Sequence, residues 1–207
     1  MSITSPFAGA TGVFEEADYT SSGGDLAELK TYLLGRALWN PLAYTDDDAA
    51  RDEREFLTAF YGAGAAPHIK QYMEIFVASA NATRTYLGES APVDADYLTP
   101  AALLDGADEL EVARIASSGD VERRARRVDV ASLSVRYAVL LRWDEMQAHA
   151  AKEERPWPYE TALQDAYDTF KGIYEAAGMT ALSEWTPDGC DDPGLSCLCF
   201  LTNVSSC

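Results

Sequence analysis

Three carboxylates and a phenol crowd together near the start of this chain: Glu15, Glu16, Asp18 and Tyr19. They follow a short apolar run, Gly12-Val13-Phe14, and precede a turn built on Gly23-Gly24. Acids at a strand end are the residue type that general acid–base work on a polar substrate uses. Cleavage of a glycosidic bond would need two of them, about 5 Å or more apart, on opposite sides of the bond. A single strand end does not provide that. Glu15 and Glu16 point to opposite faces of an extended backbone, so at most one can look into a given site. The same residues also suit a solvated turn leading into a helix cap. Residue types alone leave both readings open.

The remaining reactive residues form no recognisable constellation. His68 and His149 are the only histidines and are read as surface residues; no metal site and no cofactor are expected. There is no Gly-rich phosphate loop, no Ser-His-Asp order and no Cys-His nucleophile arrangement. Cys190, Cys197, Cys199 and Cys207 fall together at the end of the chain, in a spacing that matches no zinc ribbon. They are read either as one or two disulfides or as a tail foreign to the fold, and residues 186–207 are expected to be disordered. Arg123, Arg124, Arg126 and Arg127, flanked by Asp120, Glu122 and Asp129, read as a solvated helix face paired with acids.

A net charge of −18, from 34 acids against 16 bases, argues against nucleic acid and anionic membrane as partners. No apolar run approaches a membrane span, and MSITSPFAGATGVF lacks the cationic start and unbroken apolar segment of a signal peptide. The compartment stays undetermined.

Helical periodicity dominates the chain after Gly24. The first helix is predicted from Asp25 to Trp39, capped by Asp25 with Glu28, and striped by Leu26, Leu29, Leu33 and Ala37. The next begins near Asp46, buries Phe56, Leu57 and Phe60, and ends at Gly62 and Gly64. Pro67 suits the first turn of a third, with Ile69, Tyr72, Met73, Phe76 and Val77 inward. Pro100 opens a fourth through Leu103, Leu104, Ala107, Leu110 and Ile115. One long helix is predicted from Asp120 to Glu154, with Val121, Ala125, Val128, Ser132, Val135, Val139 and Arg142 along one seam. Leu133, Tyr137, Leu140 and Leu141 fill the seam beside it. Pro156-Trp157-Pro158 ends that helix, with Trp157 a candidate for exposure, and a last one spans Tyr159 to Ala177 before Gly178. Trp39 is assigned to the core with the other aromatics.

The segment from Gly12 to Pro41 resembles the end of the catalytic barrel in proteins grouped as domain of unknown function 4838, which overlap glycoside hydrolase family 163. The residues that carry this are Val13-Phe14-Glu15-Glu16, Tyr19, Gly23-Gly24-Asp25-Leu26 and Leu38-Trp39-Asn40-Pro41. Phe56 to Phe76 resembles the helical region that follows the barrel, and Ala17 departs from the family's usual Gly. The resemblance extends, more weakly, to Trp185. It implies a relation to N-acetylglucosaminidases, with a glycan or N-acetylated sugar as ligand. Glu15 would accept from a sugar hydroxyl, Tyr19 would form a stacking or hydrogen-bonding wall, and Glu16 or Asp18 would support them.

The expected fold is mainly α, a helical bundle with one residual strand–helix unit from the end of a (β/α)8 barrel. Residues 1–41 would be that unit, 42–185 the helical domain and 186–207 the cysteine-containing tail. A complete barrel takes about 250 residues, more than this chain has. The chain therefore reads as the C-terminal part of a glycoside-hydrolase-like protein, with no catalytic residue of its own and a partner barrel or protein beside it. The alternative is a helical protein-interaction module without enzymatic role.

Overall fold

Thr45 shows how closely local sequence sets the helix boundaries. Its side chain accepts from the Asp48 backbone N–H at 3.2 Å, and the Asp48 carboxylate accepts from the Thr45 N–H at 3.0 Å. This reciprocal box satisfies two N–H groups that a helix start otherwise leaves unpaired, while Asp46, Asp47 and Asp48 complement the helix dipole. In this computed structural model residues 26–85, 92–117 and 122–179 are described. Among them are eight helices and no strand: α1 (Ala27–Trp39), α2 (Asp46–Tyr61), α3 (Ala66–Thr83), α4 (Pro100–Ser117), α5 (Glu122–Ala131), α6 (Leu133–Leu141), α7 (Trp143–Lys152) and α8 (Leu163–Ala176). The mainly helical expectation therefore holds. The expected strand at Gly12–Phe14, the Asp25 cap and the four cysteines lie outside the described residues.

Helix α4 is the axis of the bundle. Ala102, Leu103, Leu104, Gly106, Ala107, Leu110 and Ala113 are all buried and form one broad face, while Asp105, Asp108, Val112 and Ile115 stand exposed on the other. Helix α3 packs along one side of it and α5, α6 and α7 along others. Gly106 sets the distance to α3, because a Cβ there would lie 2.9 Å from the Phe76 ring and 3.3 Å from the Tyr72 ring. A side chain at this crossing would force the Phe76 ring to shift.

The single long helix expected between Asp120 and Glu154 is three helices. At Ser132 the hydroxyl donates to the Asp129 carbonyl at 2.6 Å, and the backbone N–H is shared between the Val128 and Asp129 carbonyls. Such back-bonding loosens the regular ladder and bends the helix. At Arg142 the backbone leaves helical geometry altogether (φ −117°, ψ 29°). Its guanidinium donates to the carbonyls of Leu98 at 2.5 Å and Val93 at 3.2 Å, and pairs with Glu145. These bonds tie the α6–α7 corner to the segment leading into α4. The seam survives both breaks, with Val128, Val135 and Val139 buried.

Other assignments shift with tertiary position. Val77 and Ile115, expected inside, are each 61 % exposed, because α3 and α4 already bury their opposite faces on each other. Trp39 is 90 % exposed and not core. Trp157 is half-buried, stacked edge-on between Trp143 and Tyr159, with its indole N–H donating to the Glu160 carbonyl at 2.8 Å. Tyr159 precedes α8, which starts at Leu163. Gly178 does end that helix in the left-handed region at φ 74°.

The Gly106 crossing yields a test. Gly106→Ala should lower the denaturation midpoint, because overpacking by one methyl, typically costing about 1–3 kcal/mol, outweighs the gain in helix propensity. Gly35→Ala, where a Cβ meets nothing within 4 Å, should instead raise stability by about 0.5–1 kcal/mol. Urea unfolding of both variants checks the contrast in sign.

Candidate functional site

Glu15, Glu16, Asp18 and Tyr19 lie outside the described residues. Immediately downstream, α1 and α2 are joined by a buried charge. Asp52 has no exposed surface and accepts from Arg36 Nε at 2.8 Å, Arg51 Nη2 at 3.1 Å and Tyr44 Oη at 3.2 Å. The Arg36 hydrogen bond, against the opposing effect of burial, holds the carboxyl below the usual carboxylate range. Arg51 also pairs with Asp48 at 2.6 Å, so the α2 cap and the clasp form one network. An acid four residues before Phe56 and five before Leu57 falls on the apolar face of α2, and that spacing was the available signal for it. With every carboxylate oxygen occupied by protein donors, this site holds helices together and leaves no acceptor for a substrate.

A second polar group lines a cleft between α4, α5, α6 and the 158–159 segment. Glu111, Arg114, Asp129, Ser132, Arg136 and Tyr159 surround it. Arg114 forks onto Glu111 at 2.7 and 2.8 Å, which lowers the Glu111 carboxyl below its ordinary value. Burial moves Asp129 the other way and raises the Tyr159 phenol, over which the Arg136 guanidinium lies 5.0 Å from the ring centre. Two carboxyls pushed apart in this way can mark an acid–base pair. Here the enclosed space is about 20 Å³, room for roughly one water. A sugar ring does not fit.

In the arginine stretch of α5, Arg123 and Arg126 are exposed as expected, but Arg126 and Arg127 bond to helix ends and not to neighbouring acids. Arg127 donates to the Phe60 carbonyl at 2.7 Å and lies 3.8 Å over the Phe60 ring, at the C-terminal end of α2. Arg126 donates to the Ala176 carbonyl at 2.9 Å, at the end of α8. Guanidinium groups at helix carboxyl ends satisfy orphan carbonyls and oppose the dipole. His68, taken as a plain surface residue, links α3 to α4 through Glu109 at 2.7 Å. Among the described residues no grouping suits a metal ion, and no helix is long and apolar enough to cross a membrane.

The geometry defines a helical bundle whose charged clusters serve packing. Residues 6–74 match the model of the family described as domain of unknown function (DUF4838), which supports placing this part of the chain in that family. The matched segment runs from the N-terminal region that holds the four candidate residues through α1 and α2 into α3. No curated protein and no solved structure matches the chain.

Two measurements probe these clusters. Asp52→Ala strips three donors of their shared acceptor and should lower the melting temperature by several degrees, well beyond the effect of Asp48→Ala. Asp48, held down to about 2 by Thr45 and Arg51, contributes stability that is complete above the unfolded value of 3.8 and is lost as pH falls toward about 2. Asp129 has the opposite sign. Its raised folded value means that ionisation opposes folding, so Asp129→Asn should modestly raise the melting temperature at pH 7, with the difference shrinking as pH falls.

Proposed function

We propose that these helices are the support domain of a glycoside-hydrolase-like protein, packed beside the barrel whose last strand–helix unit comprises the segment around Glu15 together with α1. One observation carries this reading. Helix α1 and the turn after it are apolar on two sides. Leu29 and Ala37 face the bundle and are buried, while Leu34 is 37 %, Leu38 38 %, Leu42 85 % and Trp39 90 % exposed. From Leu29 to Thr45 the sequence holds no acid, in a chain with 34 of them. A helix apolar on two sides belongs between two bodies, and this one lies inside the family-matched segment.

On this reading the bundle positions a site for N-acetylated sugars and does not itself complete one. Glu15 accepts from a sugar hydroxyl, Tyr19 forms the wall of the site, and Glu16 or Asp18 supports them. The acid that protonates the leaving group stands on another strand of the barrel. A second reading, a helical protein-interaction module, draws on the same outer stripe, since an exposed Trp flanked by leucines is a typical anchor for a protein partner.

Chromophore release from an aryl N-acetylglucosaminide tests the first reading. The chain alone should show no turnover. Turnover abolished by Glu15→Ala or Glu16→Ala would show instead that a complete site exists within it. Adding the other barrel strands as a separate polypeptide should restore release for the parent chain and not for Trp39→Asp. Association without any release would favour the interaction module.

A further inference from the structure

Residues 156–161, between α7 and α8, are fastened by side chains alone. Among the described residues none of their backbone groups bonds to another backbone group, and Pro156 and Pro158 have no N–H to offer. Just before them, Arg155 forks onto Asp105 at 2.8 Å and Asp108 at 2.6 Å, on the exposed side of α4. Trp157 leans edge-on against Trp143, and Glu160 accepts from the Thr169 hydroxyl at 2.6 Å. Pro158 and Tyr159 form one wall of the cleft that holds Glu111, Asp129, Ser132 and Arg136. We propose that residues 155–161 form a strap that swings open as a unit, hinged at Glu154, and uncovers this cleft while the bundle stays folded.

The closed strap holds polar groups away from water. Glu160 Oε2 is buried with no hydrogen-bond partner. In the cleft, Arg136 donates from Nε to the Ser132 hydroxyl at 3.1 Å, and among the described residues neither it nor Asp129 forms an ion pair. A buried polar group without a partner costs free energy that hydration recovers. Glu154 adds strain, since at φ 50° it stands in the left-handed region that residues other than glycine rarely adopt. Opening relieves all three.

The latch is weak and the strap is stiff. Asp105 and Asp108 are both exposed, so their pairing with Arg155 is screened by salt and contributes little. The prolines at 156 and 158, with Trp157 held edge-on to Tyr159, keep residues 156–159 in one piece. Closed, the cleft encloses about 20 Å³, room for roughly one water. Open, it presents the Asp129 carboxyl and the Arg136 guanidinium to any small polar solute. The inference is independent of the sugar reading.

Thiol labelling tests it on the full chain with its four cysteines replaced by serine. Ser132→Cys places the probe in the cleft. Iodoacetamide should label it slowly in this background and about tenfold faster once Arg155→Gln is added, the scale set by losing two partly exposed ion pairs. High salt should speed labelling where Arg155 is kept and change little where it is replaced, with the urea midpoint nearly constant throughout. A rate that ignores both Arg155→Gln and salt would overturn the proposal, as would acceleration that only follows a fall in the urea midpoint. If the Ser132→Cys chain does not fold, fluorotryptophan in the otherwise unaltered chain decides. The solvent isotope shift of the Trp157 fluorine resonance reports its exposure to water, and a shift that Arg155→Gln does not increase overturns the proposal.

Discussion

Helix α4 buries one broad face, from Ala102 to Ala113, and the rest of the bundle follows from that. An apolar face that broad is stable only when other elements cover it. Here α3 approaches through the gap at Gly106, and α5, α6 and α7 cover more of that face. The order of enclosure explains why the long helical stretch after Glu122 is broken. A straight rod meets a second helix over a limited length, whereas three short helices joined at Ser132 and Arg142 can follow the curved surface around α4. Arg142 fixes the second corner by binding carbonyls of the segment just before α4.

The charges of this acidic chain divide into two kinds. Most surface pairs, such as Lys171 with Glu175 at 4.0 Å, are exposed and contribute little to stability. Asp52 differs because it is fully buried and fully coordinated by Arg36, Arg51 and Tyr44. A buried charge is tolerable only with such partners, and removing them would leave the Asp52 carboxylate buried without compensation. Its value lies in specifying how α1 sits on α2. That angle in turn decides where the outer stripe of Leu34, Leu38, Trp39 and Leu42 points. The support-domain proposal thus depends on an ion cluster whose Arg36 stands between Leu34 and Leu38 on the same helix.

Helix ends were legible where the cause was local. Pro67 and Pro100 stand in the first turns, Gly62 and Gly178 close α2 and α8 with positive φ, and the acids of Asp46–Asp48 sit at a helix start. Each follows from backbone constraints carried by one residue. Arg126 and Arg127 were legible only as charges. Their roles at the ends of α8 and α2 join residues 50 and 67 positions apart, and no local pattern announces such a pairing.

The sequence by itself determined that the described chain is helical, where most helices start and stop, and which stripe of each is apolar, because propensity, capping and periodicity act within a few residues. Only the tertiary structure decided which apolar stripe is core and which is surface. Val135 and Ile115 are equally apolar and equally well spaced, yet one is 3 % exposed and the other 61 %. The difference lies in whether a neighbouring helix has already filled the space opposite. The same holds for Trp39, and for Asp52, whose acid becomes a clasp only when Arg36 is folded against it.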